Sequence, residues 1–532
     1  MRLPALVSAA LVAAGLLVTP SAVAPASPAP LPGVVFGPCS DPGLDYMGLE
    51  CGTLEVPLDR TNPSGTQVRL ALTRKLHTSS TYRGIMLVNP GGPGGSGLSL
   101  AGLGDYVPHG VGSTYDWIGF DPRGVGASTP SLHCSTGYFG YNRPSYTPRN
   151  KRILGYWLTK SRYYSADCAS NATKRQLIRH MTTLDTVRDM DAIRRALGEE
   201  KINYYGFSYG TYLGQVYATK YPSHVGRFVL DGVVNPRRVW YAANIDQDRA
   251  FNRNIGLYFR YLAQNDASFH LGQRWKKIRR GYFRELRRLD RHPLVNGKLG
   301  PDELTDVMTS AGYYVYGWVD LGQAYSDLVR HGRGGPILTA YRDANVGDDN
   351  GFAVYAGVQC SDVAWPGQAR TLSDARQVNR QAPFLTWANA WFNSPCLTWR
   401  APSHRKLAVS GHGLSPKLLL ISETRDAATP YSGALAVRGL FPSASLVAGV
   451  GGTTHASSLS GVACVDDTVA RYLKTGVTPT RRSGTRADLS CPRLQPPTPT
   501  TTGNGRVVAR GHVDQLSPML RRALVSAQRI GR

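Results

Sequence analysis

Short apolar runs alternate with amphipathic segments along the first part of the chain. The runs Ile85–Val88 and Phe228–Asp231 are almost wholly apolar, and a third strand is predicted from Ile202. Strands of this kind are typical of a parallel sheet that is covered on both faces. Between them, Leu184–Leu197 places apolar residues on one helical face and Gly198 stops the helix. This alternation predicts an α/β fold, a mostly parallel sheet flanked by helices.

The pattern becomes helical over residues 235–405. A strand pattern returns at Leu418–Ile421, which favours a helical insertion between two core strands over an independent helical domain. We therefore predict a helical lid above the sheet. Its helices are predicted at Ala242–Asn265, Arg274–Arg291, Pro301–Tyr314, Val319–His331 and Pro336–Ala344.

Six segments follow from these patterns and from composition. They are 1–24, a signal peptide; 25–36, a pro-segment or disordered linker; 37–234, the first part of the core; 235–405, the lid; 406–492, the second part of the core; and 493–532, a Pro/Thr-rich linker with a basic tail.

The N-terminus has the features of a secretory signal. Arg2 supplies a positive charge, Leu6–Val18 is a short apolar region, and Ala22–Ala24 is a small-residue cleavage site, with Ala26 as an alternative cut. No later run reaches about eighteen apolar residues, the length of a membrane span. We predict a secreted, extracellular protein without an integral membrane anchor.

The eight cysteines form an even set behind that signal, which favours disulfides in an oxidising compartment. Neither Cys-x-x-Cys nor His-x-x-x-His occurs, so neither a metal site nor a cofactor is expected. We predict bonds between sequence neighbours: Cys39–Cys51, Cys134–Cys168, Cys360–Cys396 and Cys464–Cys491.

The chain is strongly basic, with a net charge of +25 from 61 basic and 36 acidic residues. Nucleic-acid binding is the obvious alternative that such a charge raises. However, the densest basic segment, Arg274–Arg291, carries apolar residues near helical spacing and predicts an amphipathic helix with a solvated basic face. We predict no nucleic-acid partner, and weak electrostatic contact with anionic cell-wall polymers stays open.

The strongest chemical motif is Gly206-Phe207-Ser208-Tyr209-Gly210, between the strand from Ile202 and a helix that begins near Thr211. A sharp strand-to-helix turn lifts a serine oxygen out of the sheet and leaves no room for side chains at the flanking positions. Glycines at both flanks meet that demand. Ser208 is therefore the predicted nucleophile.

A serine nucleophile needs a base and an orienting carboxylate, and with this turn the order along the chain is Ser, Asp or Glu, then His. Glu423 and Asp426 follow the strand at Leu418–Ile421, and only two of the twelve histidines, His455 and His512, come after them. His512 lies in the polar tail. We predict His455 as the base and Asp426, farther into the loop than Glu423, as its partner.

Acyl transfer also needs donors for a developing oxyanion. The N–H of Tyr209, the residue after the nucleophile, is one predicted donor. The glycine-rich loop Asn89–Gly97, after the strand Ile85–Val88, is the expected source of the second. A phosphate-binding loop is the competing interpretation, but the run lacks both Gly-Lys-Ser/Thr and Gly-x-Gly-x-x-Gly.

Several segments together resemble a known family. Asn89–Gly95 resembles the His-Gly-Gly-Pro-Gly motif of the proline iminopeptidase group of α/β-hydrolases, and Trp117–Ser128 resembles that group's Asp-x-Arg-Gly-x-Gly-x-Ser segment. The strongest likeness is to the secreted tripeptidyl aminopeptidases of actinomycetes. It implies the α/β-hydrolase fold with a helical lid, and Gly92 beside Tyr209 in the oxyanion hole. The further shared segments are Asn203–Thr211, Val229–Pro236 and Cys464–Asp467.

The resemblance implies a secreted serine exopeptidase that removes short peptides or residues from free N-termini through an acyl-enzyme. Binding an N-terminal ammonium calls for a carboxylate on the lid side, and Asp362, next to Cys360, is the predicted one. A loop-capping role for Asp362 is the alternative. Two other functions stay open: a carboxylesterase or lipase-like hydrolase with the same triad, and a binding protein on a hydrolase scaffold.

Overall fold

The computed structural model describes residues 33–502 and 507–510. The predicted signal peptide, most of the predicted pro-segment and the basic end of the tail lie outside the described residues. Within the described ranges, no helix has both the length and the apolar character that crossing a membrane requires.

One sheet of ten strands organises the core, in the order β1-β2-β3-β5-β4-β6-β7-β8-β9-β10. The neighbours from β5 to β10 in that order all pair in parallel, whereas β1, β2 and β3 form an antiparallel edge. The predicted mostly parallel sheet is confirmed. Its strands are β1 (Phe36–Pro38), β2 (Glu50–Pro57), β3 (Gln67–Lys75), β4 (Ile85–Asn89), β5 (Asp116–Phe120), β6 (Ile202–Phe207), β7 (Val225–Asp231), β8 (Leu418–Glu423), β9 (Ser445–Val450) and β10 (Leu489–Pro492).

The central strands are apolar at consecutive positions because both faces of the sheet are covered. On β4, Ile85 and Leu87 join the core on one face, while Met86 and Val88 join the core on the other. Successive side chains of a strand point to opposite faces, so both sets must be apolar. The cover consists of α1 (Pro42–Tyr46), α3 (Ala172–Leu177), α4 (Thr183–Ala196), α5 (Tyr209–Lys220), α15 (Ser432–Leu440), α16 (Ala463–Thr475) and the 3₁₀ segments Leu98–Tyr106, Pro108–Thr114 and Pro222–His224. The helix α2 (Lys151–Asp167) packs instead against the helices inserted between β7 and β8, and its Trp157 belongs to their apolar core.

The helices between β7 and β8, apart from the helix Asn350–Asp362, contribute to a separate apolar core, which is the structural basis of the predicted lid. The helix Asn350–Asp362 packs instead on the core of the sheet and on a small aromatic cluster. The exact limits 235–405 stay a prediction. The helices are α6 (Tyr241–Gln264), α7 (Asp266–Phe269), α8 (Trp275–Arg291), α9 (Pro301–Tyr313), α10 (Trp318–His331), α11 (Gly335–Asn345), α12 (Asn350–Asp362), α13 (Gln368–Gln381) and α14 (Thr386–Asn393), followed by the 3₁₀ segment Ser394–Thr398.

The five helices predicted in this region are present, with ends within about two residues of the predicted ones. The sequence missed the four-residue helix α7 as well as α12, α13 and α14. In α12 almost every residue is buried, so the helix has no polar face and no amphipathic period to detect. This helix is buried on all sides because it lies between the core of the sheet and the other helices of the lid.

Part of the segment 493–532, predicted as a Pro/Thr-rich linker with a basic tail, docks on the lid. Thr498–Thr501 (β11) and Val507–Arg510 (β12) pair antiparallel, and Val507 belongs to the apolar core of the lid. The hydroxyl of Tyr261 on α6 donates to the carbonyl of Pro497 at 2.7 Å. Proline- and threonine-rich segments lack an apolar pattern of their own, so their docking on another surface is invisible in the sequence.

Four disulfides join the eight cysteines in the predicted neighbour pairs. Two of them lie in one small apolar cluster between the core and the lid. Cys134–Cys168 ties a core loop to the end of α2, and Cys360–Cys396 ties α12 to the segment after α14. A covalent tie reduces the conformational freedom of the unfolded chain and so stabilises the fold.

Arg123, within the segment Trp117–Ser128, has a structural role. Its side chain is fully buried, and its Nε and Nη2 atoms each donate to the Asp189 carboxylate of α4 at 2.7 Å. Its Nη1 donates to the carbonyls of Leu58 and His180. The arginine thus joins the loop after β5 to α4 and does not face the cavity at Ser208.

Asp189→Ala is expected to lower the free energy of unfolding by about 3–5 kcal/mol, because it leaves the Arg123 guanidinium buried without its counter-ion. Asp105→Ala is the matched control. Its carboxylate pairs with Lys75 at an exposed position, and loss of an exposed pair costs less than about 1 kcal/mol. Urea unfolding of both variants measures the difference. Equal midpoints would show that the Arg123–Asp189 pair does not contribute as argued.

Candidate active site

Ser208 lies at the turn between β6 and α5 with φ 54° and ψ −123°. A non-glycine residue with positive φ is strained, and such strain persists where the surrounding structure enforces it. The N–H of Ser208 donates to the carbonyl of Asp231 at 2.9 Å, and its carbonyl accepts from Thr211 N–H at 2.8 Å. The turn is therefore held from both sides, in the geometry of a nucleophile elbow.

The flanking glycines are required by close backbone contacts. A Cβ on Gly206 would lie 2.6 Å from the carbonyl oxygen of Gly210, and one on Gly210 would lie 2.7 Å from that of Asn89. A Cβ on Gly91 would lie 2.9 Å from both the Ser208 Cβ and the Tyr209 nitrogen. The glycine-rich loop after β4 is thus packed directly against the elbow.

His455 is fully buried, and its Nδ1 lies 2.8 Å from Asp426 Oδ2. The Asp426 carboxylate also accepts from the backbone N–H groups of Ala428 and Thr429, and from the Thr429 hydroxyl. The lid holds the histidine too, because His455 N–H donates to the Tyr313 carbonyl of α9 at 2.8 Å. The structure therefore brings Asp426, the preferred candidate, to the imidazole.

The other ring nitrogen of His455, Nε2, is buried and has no hydrogen-bond partner among the described residues. Buried polar atoms are almost always paired, so an unpaired one indicates a functional atom. Ser208 and His455 both lie near Gly232. A Cβ on Gly232 would be 2.9 Å from His455 Cε1, and the carbonyl of the preceding residue, Asp231, accepts from Ser208 N–H. Hydrogen bonds between a nucleophile and its base are often loose without substrate.

Two further buried carboxylates position the histidine loop. Asp231, at the end of β7, accepts from the N–H and the hydroxyl of Ser458, and burial raises its pKa to about 6. Glu423, at the end of β8, accepts from the N–H groups of Thr454 and Leu494, and burial raises its pKa to about 8. Glu423 thus supports the loop before His455 rather than the imidazole itself.

Another buried carboxylate supports the glycine-rich loop. Asp121, just after β5, accepts from the N–H of Gly97 at 3.1 Å and from the N–H of Ala127 at 2.9 Å. Burial raises the pKa of Asp121 to about 6. This carboxyl fixes the far end of the loop whose near end, at Gly92, lines the cavity with Tyr209. Both residues predicted as oxyanion donors thus line the same cavity as Ser208.

A cavity of about 800 Å³, open solvent at its mouth included, lies between sheet and lid. Ser208 is at its floor, and Trp240, Tyr313 and Tyr355 are among its lid-side walls. Polar groups also line it: Asn235, Asn244, Asp246, Gln247, Gln359, Thr429 and Ser432.

Asp362 does not line this cavity. Its carboxylate accepts from the N–H and hydroxyl of Thr183 at 2.8 and 2.6 Å, and from Trp240 Nε1 at 3.0 Å. Burial raises its pKa to about 6. The predicted ammonium-binding role therefore needs correction: Asp362 lies behind the wall formed by Trp240 and Tyr209, where it fixes the indole.

The carboxylate that does line the cavity is Asp246 of α6, which the sequence did not single out. Arg238 holds it from outside, with Nη2 2.8 Å from Asp246 Oδ1. In the adjacent residue, Gln247, Nε2 donates to the Ala428 carbonyl, and Oε1 is buried without a partner among the described residues. A weak signal existed, since Asn244, Gln247 and Asp248 interrupt the apolar face of α6 at helical spacing.

Comparison with known proteins agrees with this geometry. The family model for the alpha/beta hydrolase fold matches residues 84–461. The chain is 38% identical over 473 residues to a tripeptidyl aminopeptidase of Streptomyces lividans, covering 85% of each. It is 29% identical over 465 residues to the serine protease Hip1 of Mycobacterium tuberculosis, covering 81% of this chain and 86% of that one.

A third relative carries a different name. The chain is 30% identical over 451 residues to Carboxylesterase B of M. tuberculosis, covering 81% of this chain and 85% of that one. All three matches extend over more than four-fifths of this chain. With a family match across most of its length and relatives at this level of identity, the chain belongs to the α/β-hydrolase family.

Proposed function

We propose that this protein is a secreted serine exopeptidase that releases short peptides from free N-termini through an acyl-enzyme. The observation that carries the proposal is His455 Nε2, which is buried without a hydrogen-bond partner in the described part of the chain, together with the strained Ser208 under a helical lid. Burying a polar nitrogen without a hydrogen-bond partner is unfavourable, so such an atom indicates a functional role, here proton transfer.

In the proposed mechanism, His455 Nε2 takes the hydroxyl proton of Ser208 as Oγ attacks the scissile carbonyl. The N–H groups of Tyr209 and Gly92 bind the oxyanion. Asp426 holds the imidazole in the tautomer with Nδ1 protonated and stabilises the imidazolium. His455 then donates the proton to the leaving amine, and water, deprotonated by the same nitrogen, releases the acyl group.

The lid supports cleavage at a chain end. Walls from α6, α9, α12 and α14 cover the cavity, whereas an endopeptidase needs a groove that is open on both sides of the scissile bond. Asp246 and the free acceptor Gln247 Oε1 offer an ammonium group one charge and one hydrogen bond. Because Arg238 occupies only two lone-pair positions of the Asp246 carboxylate, others remain for a substrate.

Secretion rests on the N-terminal signal pattern and on four disulfides, which persist in oxidising compartments. The basic residues of α8 are consistent with weak contact to anionic cell-wall polymers, since most of its arginines and lysines lie outside the lid core. Substrates are expected to be peptides rather than nucleic acids.

A carboxylesterase is the second candidate, and the relative named Carboxylesterase B is the observation that favours it. The same triad cleaves esters and amides, but amide cleavage needs a proton donor for a poor leaving group and a site for the peptide end. The carboxylate and acceptor at Asp246 and Gln247 suit a charged amine and offer nothing to a neutral acyl chain.

The test compares two substrates of the mature protein, a tripeptidyl anilide with a free N-terminus and a p-nitrophenyl ester of a short acyl chain, with Ser208→Ala as the blank. We expect the anilide to have the higher kcat/KM relative to its uncatalysed rate. Rapid ester cleavage with no measurable anilide cleavage would favour the esterase instead. Mass spectrometry of a digested peptide mixture then gives the length released.

A further inference from the structure

A second cluster of chemically competent side chains lies away from Ser208, at the junction between the core and α12. It consists of His133, in the loop after β5, and of Asp348 and Asp349, just before α12. One nitrogen or oxygen from each side chain lies within 4.8 Å of the others. The histidine and the two aspartates come from distant parts of the chain, so no sequence spacing indicated them.

Asp349 is the informative member of the cluster. Its Oδ2 accepts from Cys134 N–H, Ser135 N–H and the Tyr164 hydroxyl at 2.8, 2.6 and 3.1 Å. Its side chain is only 4% exposed, and its Oδ1 has no hydrogen-bond partner among the described residues. Three donors orient this carboxylate and leave its second oxygen facing His133 at 3.6 Å.

The position of Asp349 along the chain also indicates a role other than capping its own helix. It precedes α12, where an aspartate ordinarily accepts from the first N–H groups of its own helix. Here it makes no such capping bond and reaches across to the core loop instead. A buried anionic oxygen with no donor is unfavourable unless a cation binds it.

The imidazole of His133 is set up to ligate through Nδ1. Its Nε2 lies 3.2 Å from Ser131 Oγ, which can accept the Nε2 proton. Its Nδ1 lies 2.8 Å from Asp348 Oδ1 and 3.6 Å from Asp349 Oδ1. Asp348 Oδ1 also accepts from Asn350 N–H at 3.0 Å. A hydrogen bond to the distal nitrogen commonly fixes the tautomer of a metal-binding histidine.

Charge supports a cation at this position. The ion pairs of Asp348 and Asp349 within the described ranges are with His133, and no lysine or arginine joins them there. Two carboxylates thus share one imidazole on a chain with net charge +25. Neutral imidazole with carboxylates is a donor set that suits Zn²⁺. Tetrahedral zinc with bonds of about 2.1 Å places its ligand atoms about 3.4 Å apart, within the range seen here.

We propose that His133 Nδ1, Asp348 Oδ1 and Asp349 Oδ1 form a structural Zn²⁺ site with a fourth position open to solvent. The ion joins the core loop to the start of α12, the helix that carries Tyr355 and Gln359 to the cavity wall. Asn350 already links the same two parts, through bonds with Gly126 N–H and the carbonyls of Gly124 and Leu132. Zinc would therefore stiffen the lid–core junction without entering the chemistry.

The experiment uses untagged mature protein, freed of metal with EDTA and then dialysed. Titration calorimetry with ZnCl₂ is expected to show one equivalent bound, and saturating Zn²⁺ is expected to raise the Tm by about 3 °C. His133→Gln and Asp348→Asn are each expected to weaken binding at least about tenfold, since even the loss of an outer partner has that effect. His109→Gln is the matched control, because His109 is an exposed histidine that pairs with a single carboxylate, Asp467, among the described residues.

The side chains of His133 and Asp348 are 47% and 66% exposed, so both variants are expected to fold. Labelling of Ser208 by a fluorophosphonate checks this, and a variant that is not labelled is replaced by His133→Asn. Absence of Zn²⁺ binding to the wild type would overturn the proposal. So would equal binding by wild type and the two variants, or a preference for Ca²⁺ over Zn²⁺.

Discussion

Ser208→Ala is expected to lower kcat/KM by about a millionfold and to abolish labelling by a fluorophosphonate probe. Loss of a serine nucleophile has an effect of that order in enzymes where nucleophile, base and carboxylate act as one unit. The Nε2 of His455 would then have no proton to take. His455→Ala should therefore be nearly as damaging, and the double variant should be no worse than either single one.

The fold should survive this change. An alanine at this position would keep the positive φ that the surrounding backbone imposes, and the bond from the Ser208 N–H to the Asp231 carbonyl is made by backbone atoms. The Tm is expected to be unchanged or slightly higher, since active sites commonly trade stability for function. Ser432→Ala is the matched control, as Ser432 lines the same cavity away from the elbow. Turnover of the Ser208→Ala protein near the wild-type rate would exclude Ser208 as the nucleophile.

The second large effect concerns the N-terminus of the substrate. Acetylation of the N-terminus of a good peptide substrate is expected to lower kcat/KM at least about a hundredfold, or ~3 kcal/mol. Acetylation removes the charge that would pair with Asp246 and two of the three hydrogens that an ammonium group could donate. Gln247 Oε1, an acceptor that is buried without a partner among the described residues, would then lose its best donor. Acetylation also adds atoms to the chain end that would lie in the cavity under the lid. The measurement is a comparison of free and acetylated forms of one peptide.

Substitution separates charge recognition from size exclusion. Asp246→Asn should slow cleavage of the free peptide and leave the acetylated one nearly unaffected, so the discrimination between the two shrinks. Asp320→Asn is the control, because Asp320 is an exposed acid of α10 outside the cavity lining. If free and acetylated peptides are cleaved equally well by the wild type, the exopeptidase proposal fails. If discrimination persists in Asp246→Asn, the closed wall rather than the carboxylate selects the chain end.

Much of the candidate site could be predicted from local pattern. The elbow at Ser208 could be predicted because a turn this tight requires glycine at both flanks. Both glycines lie within two residues of the serine in the sequence. The choice of Asp426 over Glu423 rested on distance past the strand end, and the structure places Asp426 Oδ2 at His455 Nδ1. The four disulfide pairs could also be predicted, because bonds between neighbouring cysteines close the shortest loops.

The choice of Asp362 for the ammonium shows where such reasoning ends. The sequence shows that Asp362 lies beside a cysteine, but not where its side chain points. In the structure the carboxylate accepts hydrogen bonds from Thr183 and Trp240. Asp246 and Gln247 lie on a helix whose polar residues are predicted to face solvent when only the sequence is considered. They face a cavity only because the lid folds back over the sheet.

The sequence by itself determined the parallel sheet, the elbow, the order of nucleophile, carboxylate and base, and the presence of a helical insertion. Each of these depends on residues near one another in the chain, or on a period of burial that repeats along it. Only the tertiary structure decided which lid side chains line the cavity, how the residues after 492 dock on the lid, and that His133 meets Asp348 and Asp349. These depend on long-range packing, where a side chain's partner and exposure are set by elements far away in sequence.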